Sequence, residues 1–335
     1  MKKLDILAIG DTVIDAFIRL QDAELICDTD KKNCKLAVRY GDKVPYESVT
    51  VCNAVGNAAN AAVSASRLGL SSGMLTYVGS DQNGADCIAE FKTNNVATDL
   101  VRVADGMKTN YHYVLWYDVD RTILIKHEKY AYTLDGIPEN SDAPKWLYVS
   151  SLGENSFHLY EDIAGYLDKN PSVKLAFQPG IFDIRQGVEK LAHIYSRAQA
   201  MCCNVEEAQR ILGETRRDLK VLMAGLSKLG PKVVLVTDGI DGAYGYDTRL
   251  ADEGFFFMPV YPHKPYERTG AGDAFFSTVV SCLAMGKLLD EALTWGPINS
   301  MSVVQQIGAQ KGLLTVDKLQ EFLKQAPPDY VLKKI

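Results

Sequence analysis

The sequence predicts an α/β protein: a doubly wound, mostly parallel sheet flanked by helices, with a small antiparallel β-sheet lid beside it. Three observations carry that reading. Short β-rich runs alternate with longer runs of helical periodicity, the order of β-α-β units. The first run, Leu4 to Gly10, is aliphatic without alternation, as a strand buried on both faces is. Two stretches, about 15–51 and 96–128, break the order with polar and β-forming residues and no helical stripe.

The elements follow in turn. Asn57 to Leu68 (NAANAAVSASRL) is a small-residue helix stopped by Gly69, the residue type that accepts a left-handed helix end. Gly73 to Val78 reads as a strand, followed by Gly79 and a helix near Ala85 to Lys92. Trp146–Ser150, Val173–Phe177, Ala200–Cys203 and Val233–Thr237 are further strand-like runs separated by helical periodicity. Within the second interruption, TNYHYVLWYD and RTILIKH form two strand-like runs joined at Asp118–Asp120, and Ile123 and Ile125 alternate with period two. An antiparallel flap is the simplest account; such flaps close over small ligands and exclude water. An edge extension or a dimer surface fits the same residues equally well.

A chain of 335 residues suits two domains or one large α/β domain with insertions; we take residues 1–335 as a single domain whose two interruptions build the lid. With 47% hydrophobic and 23% charged residues and a net charge of −6, the chain is ordinary for a folded protein and carries no basic field for nucleic acid or anionic lipid. Polyphosphate would have to be held by local devices. No apolar run approaches the roughly 18 residues of a membrane span, and the interrupted start Met1-Lys2-Lys3-Leu4-Asp5-Ile6 makes a poor secretion signal and a good first strand. Seven cysteines with no CxxC pair, and five histidines without zinc spacing, suggest reduced thiols in a cytoplasmic protein.

The most informative segment is Arg268-Thr269-Gly270-Ala271-Gly272-Asp273-Ala274-Phe275, leading into FSTVVSCLAMG. A glycine turn opening an apolar helix offers unpaired backbone N–H groups and the positive end of the helix dipole, which together bind anions. Asp273 beside such a cradle would repel phosphate unless its task is to take a proton from an attacking hydroxyl. A plain N-capped glycine turn fits the same four residues equally well. The segment is neither a dinucleotide fingerprint nor a Walker A loop.

Asn204-Val205-Glu206-Glu207 follows the apolar run AMCC, at the strand end where open sheets bind ligands. Glu207 could hold Mg²⁺ through water, and the same residues also spell a capping box. Thr237-Asp238-Gly239-Ile240-Asp241-Gly242 follows another strand and suits a nucleotide or a hairpin equally, since Ala243–Asp247 resembles a second strand. Near the start, Asp11 and Asp15 stand just past a buried strand, where carboxylates can accept hydrogen bonds from sugar hydroxyls. Gly56-Asn57-Ala58-Ala59-Asn60 opens a helix whose asparagines could do likewise or simply cap and pack.

In order, these motifs resemble the ribokinase-like, or PfkB-type, family of carbohydrate and nucleoside kinases, from Gly10–Asp15 through Gly56–Asn60, Val78–Gly84, Asn204–Glu207 and Thr237–Gly239 to Gly270–Asp273. The resemblance implies that Asp273 is the catalytic base and that the amides of Gly270, Ala271 and Gly272 form the anion hole. It implies a sugar pocket at Asp15, Asp11, Gly56, Asn57 and Asn60. Asn204, Thr237, Gly239, Gly242 and Asn299 would face ATP, with Glu207 placing Mg²⁺. The lid would match the family's β-sheet lid, which pairs two copies in several members. Departures stand out. Glu267-Arg268-Thr269 replaces Asp-Thr-Thr, which counts against activation by a monovalent cation such as K⁺. Val55 stands for the first glycine of a pair, Asn57 for a lysine frequent in ribose kinases, and Gln178-Pro179-Gly180 for Asn-Pro or Asp-Pro. The expected activity is therefore ATP-dependent, in-line phosphorylation of a hydroxymethyl group on a small sugar or sugar derivative. A nucleoside kinase of the same fold and a catalytically silent nucleotide sensor are the alternatives.

Overall fold

A computed structural model describes residues 3–29, 34–153 and 156–335. The chain opens with β1 (Ile6–Ile9), buried at every position. It then builds most of the lid: β2 (Val13–Leu20), the hairpin β3 (Glu24–Cys27) and β4 (Cys34–Ala37), and β5 (Tyr46–Val55). Two helix–strand units follow, α1 (Asn57–Arg67) with β6 (Ser72–Gly79) and α2 (Gln82–Thr93) with β7 (Val101–Ala104). A second excursion supplies β8 (Asn110–Tyr117) and β9 (Asp120–Leu124). The large sheet resumes with β10 (Trp146–Ser150), α3 (His158–Lys169), β11 (Lys174–Gln178), α4 (Ile181–Gln186) and α5 (Ala192–Arg197). Next come β12 (Ala198–Asn204), α6 (Val205–Leu212), α7 (Leu219–Ser227) and β13 (Val233–Thr237). The chain ends with β14 (Ala243–Asp247), β15 (Phe255–Met258), α8 (Ala271–Ala284), α9 (Leu289–Val303), α10 (Val316–Lys324) and β16 (Lys333–Lys334).

The large sheet has the order β16-β15-β14-β13-β12-β11-β10-β1-β6-β7. Every pairing from β7 to β13 is parallel, and the pairings among β13, β14, β15 and β16 are antiparallel. Successive residues of β1 serve opposite faces: Ile6 and Ala8 join the core that includes α1, α8 and α9, while Leu7 and Ile9 join the core beneath α3, α6 and α7. A strand sandwiched in this way has no polar face, which is why its sequence does not alternate.

The lid sheet has the order β5-β2-β8-β9. Its two hairpin-like pairings, β2–β5 and β8–β9, are antiparallel, but β2 and β8 run parallel. The expectation of a wholly antiparallel flap is corrected here. β2 and β8 continue from the C-terminal ends of β1 and β7, two strands of the same parallel run, so both head outward in one direction. The second lid segment also begins at Asn110 rather than near residue 96, because Val101–Ala104 pairs with β6 in the large sheet.

The cysteine expectation is overturned as well. Cys27 and Cys34 are joined by a disulfide, at facing positions of the β3–β4 hairpin whose Cα atoms lie 4.0 Å apart. Cys52, Cys87, Cys202, Cys203 and Cys282 are free thiols. Linear spacing does not show which residues a hairpin register sets face to face.

One motif proves architectural. A Cβ on Gly84 would sit 2.1 Å from the Gly79 carbonyl oxygen, so α2 can begin against that strand only with glycine there. Asp81 caps α2 through Gly84 N and also accepts from Thr109 Oγ1 and N, fastening the approach to β8.

Candidate active site

The glycine turn does open a helix. Gly270 holds a left-handed conformation (φ 82°) as the N-cap of α8, and a Cβ there would lie 2.4 Å from the Ala309 Cβ. That packing clamps the turn against the segment after α9, while Ser300 Oγ donates to Ala271 O at 2.7 Å. Gly272, by contrast, is exposed, and a Cβ there would meet nothing within 4 Å. The first-turn N–H groups of α8 have no intrahelical acceptor, and the exposed Gly272 leaves room beside them, a cradle that suits a phosphate.

Asp273 lies in the first turn of α8 and gathers three amide donors. Asn57 Nδ2 donates to Oδ1 at 2.9 Å, Asn60 Nδ2 to Oδ2 at 2.7 Å, and Gln178 Nε2 to Oδ1 at 2.9 Å. The two asparagines stand one turn apart on the same face of α1, and Gln178 ends β11. Burial holds the Asp273 carboxyl above the usual carboxylate range; the three amides pull it down, and the nearby Asp15 charge pushes it further up. The structure thus brings Asn57, Asn60 and Asp273 together. It adds Gln178, whose only sequence signal is the Gln-Pro departure at a strand end.

The other carboxylates divide. Asp11 has both oxygens taken, Oδ1 by the Tyr132 hydroxyl at 2.6 Å and Oδ2 by His127 Nδ1 at 2.8 Å. Asp11 thereby also anchors His127 and Tyr132. Asp15 is buried on β2 across from His112 of β8, with 3.3 Å between Oδ1 and the His112 Nδ1, and Oδ1 has no protein hydrogen bond. The His112 and His127 rings are 5.1 Å apart, so the two carboxylate–histidine pairs adjoin. Beside them is a cavity of about 210 Å³ whose lining includes Asp11, His127, Lys129, Tyr130 and Phe182. His112 shares the inward face of β8 with Val114 and Trp116, a placement the alternation of that run could have revealed. Gly56 must be glycine: its φ is 118°, and a Cβ would meet the Asp11 carbonyl at 2.6 Å.

The lid is fastened to the loop preceding α8. Arg19 lies over the Trp116 ring, donates to the Tyr266 hydroxyl at 2.8 Å and pairs with Glu47 at 2.9 Å. Buried Glu267 accepts from Thr269 N and Oγ1 through Oε1, bracing the loop, and the Arg121 Nε is 3.7 Å from the same oxygen.

On the far side of the turn, Asn204 and Glu207 form a capping box on α6, each side chain accepting from the other's backbone N–H. Burial raises the Glu207 carboxyl, opposed by the Asn204 N–H. Thr237 and Gly239 sit where β13 turns back into β14, so the hairpin is present, with Gly242 (φ 104°) closing it. Arg217 pairs with Asp238 and Glu206 beside that turn. Asn299 has both ends of its amide bonded within the protein. It is wholly buried in α9, its Nδ2 donating to Thr278 Oγ1 and its Oδ1 accepting from Leu314 N, so its amide joins helices rather than facing a nucleotide.

No group of three or more His, Cys, Asp or Glu residues that could hold a metal occurs among the described residues. Magnesium at Glu207 would therefore rest chiefly on phosphate oxygens and water, the coordination this ion prefers. Among the described residues, no helix is long and apolar enough to cross a membrane.

Known proteins share this architecture and resemble the chain in sequence. The chain is 24% identical to a ribokinase of Bacillus subtilis over 274 residues, covering 80% of this chain and 87% of the relative. The solved structure of Arabidopsis thaliana ribokinase complexed with ribose and ATP superposes with a TM-score of 0.74 at 20% identity, covering 97% of this chain and 99% of that one. A fructokinase from Vibrio cholerae, bound to fructose, ADP and calcium ion, gives a TM-score of 0.72 at 18% identity, covering 96% and 99%. The family model for pfkB family carbohydrate kinase matches residues 5–316, and the chain belongs to that family.

Proposed function

We propose that the protein is an ATP-dependent kinase that phosphorylates a hydroxymethyl group of a small sugar or sugar derivative, with Asp273 as the base. One observation carries the reading: a carboxylate fixed by three amides stands in the first turn of a helix, beside the exposed Gly272. ATP, with Mg²⁺, supplies the phosphoryl group and the counter-charge for it. The chain's own residues do the rest. The amides at the start of α8 cradle the transferred group, and Asp15 aligns the acceptor from the lid side. Asp273 accepts the hydroxyl proton late, when the oxygen has become acidic enough for a carboxylate to take it. Alignment therefore counts for more than basic strength. Asn204 and the β13–β14 turn at Thr237 and Gly239 form the nucleotide side, and the lid keeps water from competing as acceptor.

An ADP-release panel of sugars, sugar derivatives and nucleosides with ATP and Mg²⁺ tests the reading. With the best acceptor, Asp273→Asn is expected to lower turnover about 10²–10⁴-fold while leaving ATP binding nearly intact. Turnover within about threefold of the parent would remove Asp273 from the mechanism.

A further inference from the structure

Two of the three amides on Asp273 are themselves held from behind. Gln178 Oε1 accepts from the Tyr148 hydroxyl at 2.5 Å, and Tyr148 is fully buried on β10. The Asp273 carboxylate can only accept, so Nε2 must face it; that leaves Oε1 for the Tyr148 hydroxyl, which holds the amide plane from behind. Asn60 is held the same way. Its Oδ1 accepts from Gln310 Nε2 at 3.0 Å, and Gln310 also donates to Ala54 O at 2.8 Å. Asn57 differs: among the described residues no protein group donates to its Oδ1, and it shares Asp273 Oδ1 with Gln178.

We propose that Tyr148–Gln178 and Gln310–Asn60 form a two-armed clamp that positions the Asp273 carboxylate, one fixed donor on each oxygen, while Asn57 is the arm that lets go of Oδ1 when the acceptor hydroxyl arrives. The inference rests on the kinase reading of Asp273. A carboxylate this enclosed stays ionised only if donors replace the water it has lost. Two rigid donors achieve that without shielding the lone pair the incoming proton needs.

Four titratable groups face Asp273 from the surrounding elements: Asp15 on β2, Tyr148 on β10, Cys202 on β12 and Glu207 on α6. Burial pushes Tyr148 and Cys202 well above their ordinary values, so both stay neutral through the working range and bring no charge to the site. Tyr148 can then act on Asp273 only through the Gln178 amide.

Tyr148→Phe, Gln178→Met and the double variant test this, using the pH dependence of kcat with MgATP and the best acceptor. A second readout, the carboxyl resonance of Asp273 in protein labelled with ¹³C-aspartate and assigned by Asp273→Asn, needs no activity. Removing a donor raises the pKa of the group it stabilised, so Gln178→Met should move the acid limb of kcat, and the Asp273 titration, up by about one pH unit, and Tyr148→Phe, which only frees the Gln178 amide, should move both the same way by a smaller, resolvable amount. The ATP KM should stay within about twofold, and the double variant should match Gln178→Met because the two residues share one bond. An unmoved acid limb and titration in Tyr148→Phe, or shifts that add in the double variant, would overturn the clamp. An inactive Asp273→Asn alongside an unmoved limb sinks the clamp and leaves the kinase reading standing. An active Asp273→Asn sinks that reading, while the resonance still decides the clamp.

Discussion

The two walls of the candidate site are built to opposite rules. On the body side, every oxygen of Asp273 has a donor and two of those donors are locked in turn. On the lid side, Asp15 Oδ1 and His112 Nε2 are buried without a protein hydrogen bond. An unsatisfied buried polar atom costs about 1–3 kcal/mol, so the lid wall is the one whose energy changes most when something polar enters. One wall is preorganised; the other waits for its partner. The proposed kinase reading calls for both, because a base must be aimed before the acceptor comes and the enclosure must reward the acceptor for coming.

Breaking the body wall should have the larger consequence. Gly270→Ala places a methyl group 2.4 Å from the Ala309 Cβ and 2.6 Å from its Cα, at a φ of 82° that alanine resists. The clash is with backbone and cannot be relieved by a rotamer change. We expect a loss of about 2–4 kcal/mol of stability, read as a lower urea midpoint, together with loss of phosphoryl transfer, since the cradle's amides move with the turn. A midpoint unchanged from the parent would show that the turn yields, and that the body wall is less rigid than its packing implies.

Striking the lid wall should be milder and more selective. Asp15→Ala removes a carboxylate with a free oxygen and leaves the Asp273 amides in place. The acceptor KM should rise about 10–100-fold, the worth of a hydrogen bond to a charged group, with the ATP KM little changed. Equal effects on both KM values would contradict the division of labour between the walls.

How much of this was legible in the chain depends on how far apart the interacting residues lie. Leu4–Gly10 shows itself as a buried strand, and Gly270–Asp273 as a helix-opening turn, because each signal is local. Asn57 and Asn60 are also visible, being one helical turn apart. Their target is not, because Asp273 lies more than two hundred residues away along the chain. The partners of Asp11 are hidden for the same reason: Tyr132 and His127, which bond its two oxygens, come from beyond the lid. Asn299 looked open for the same reason: Thr278 and Leu314, which take both ends of its amide, sit on other turns of the chain. Pattern reading recovers what a residue can do; packing decides whether that capacity is already spent.

The Cys27–Cys34 link gives the finest test of how separate the walls are. It staples β3 to β4, an isolated two-stranded sheet at the outer end of the lid that pairs with neither β2 nor β5. Two strands alone are marginal in water, so the bond should govern that hairpin and little else. In Cys27→Ser/Cys34→Ser, hairpin amides should exchange with solvent at least about tenfold faster, because a short closed loop is opened. The global unfolding free energy from urea titration should stay within about 0.5 kcal/mol of the parent, since the body core is untouched. The acceptor KM should rise no more than about threefold, a change of well under 1 kcal/mol, because Asp15 and His112 are pinned by the β2–β8 register rather than by the hairpin. A large KM effect would mean that order at the lid's outer end is transmitted along β2 to Asp15, and the lid wall would then have to be treated as one cooperative unit.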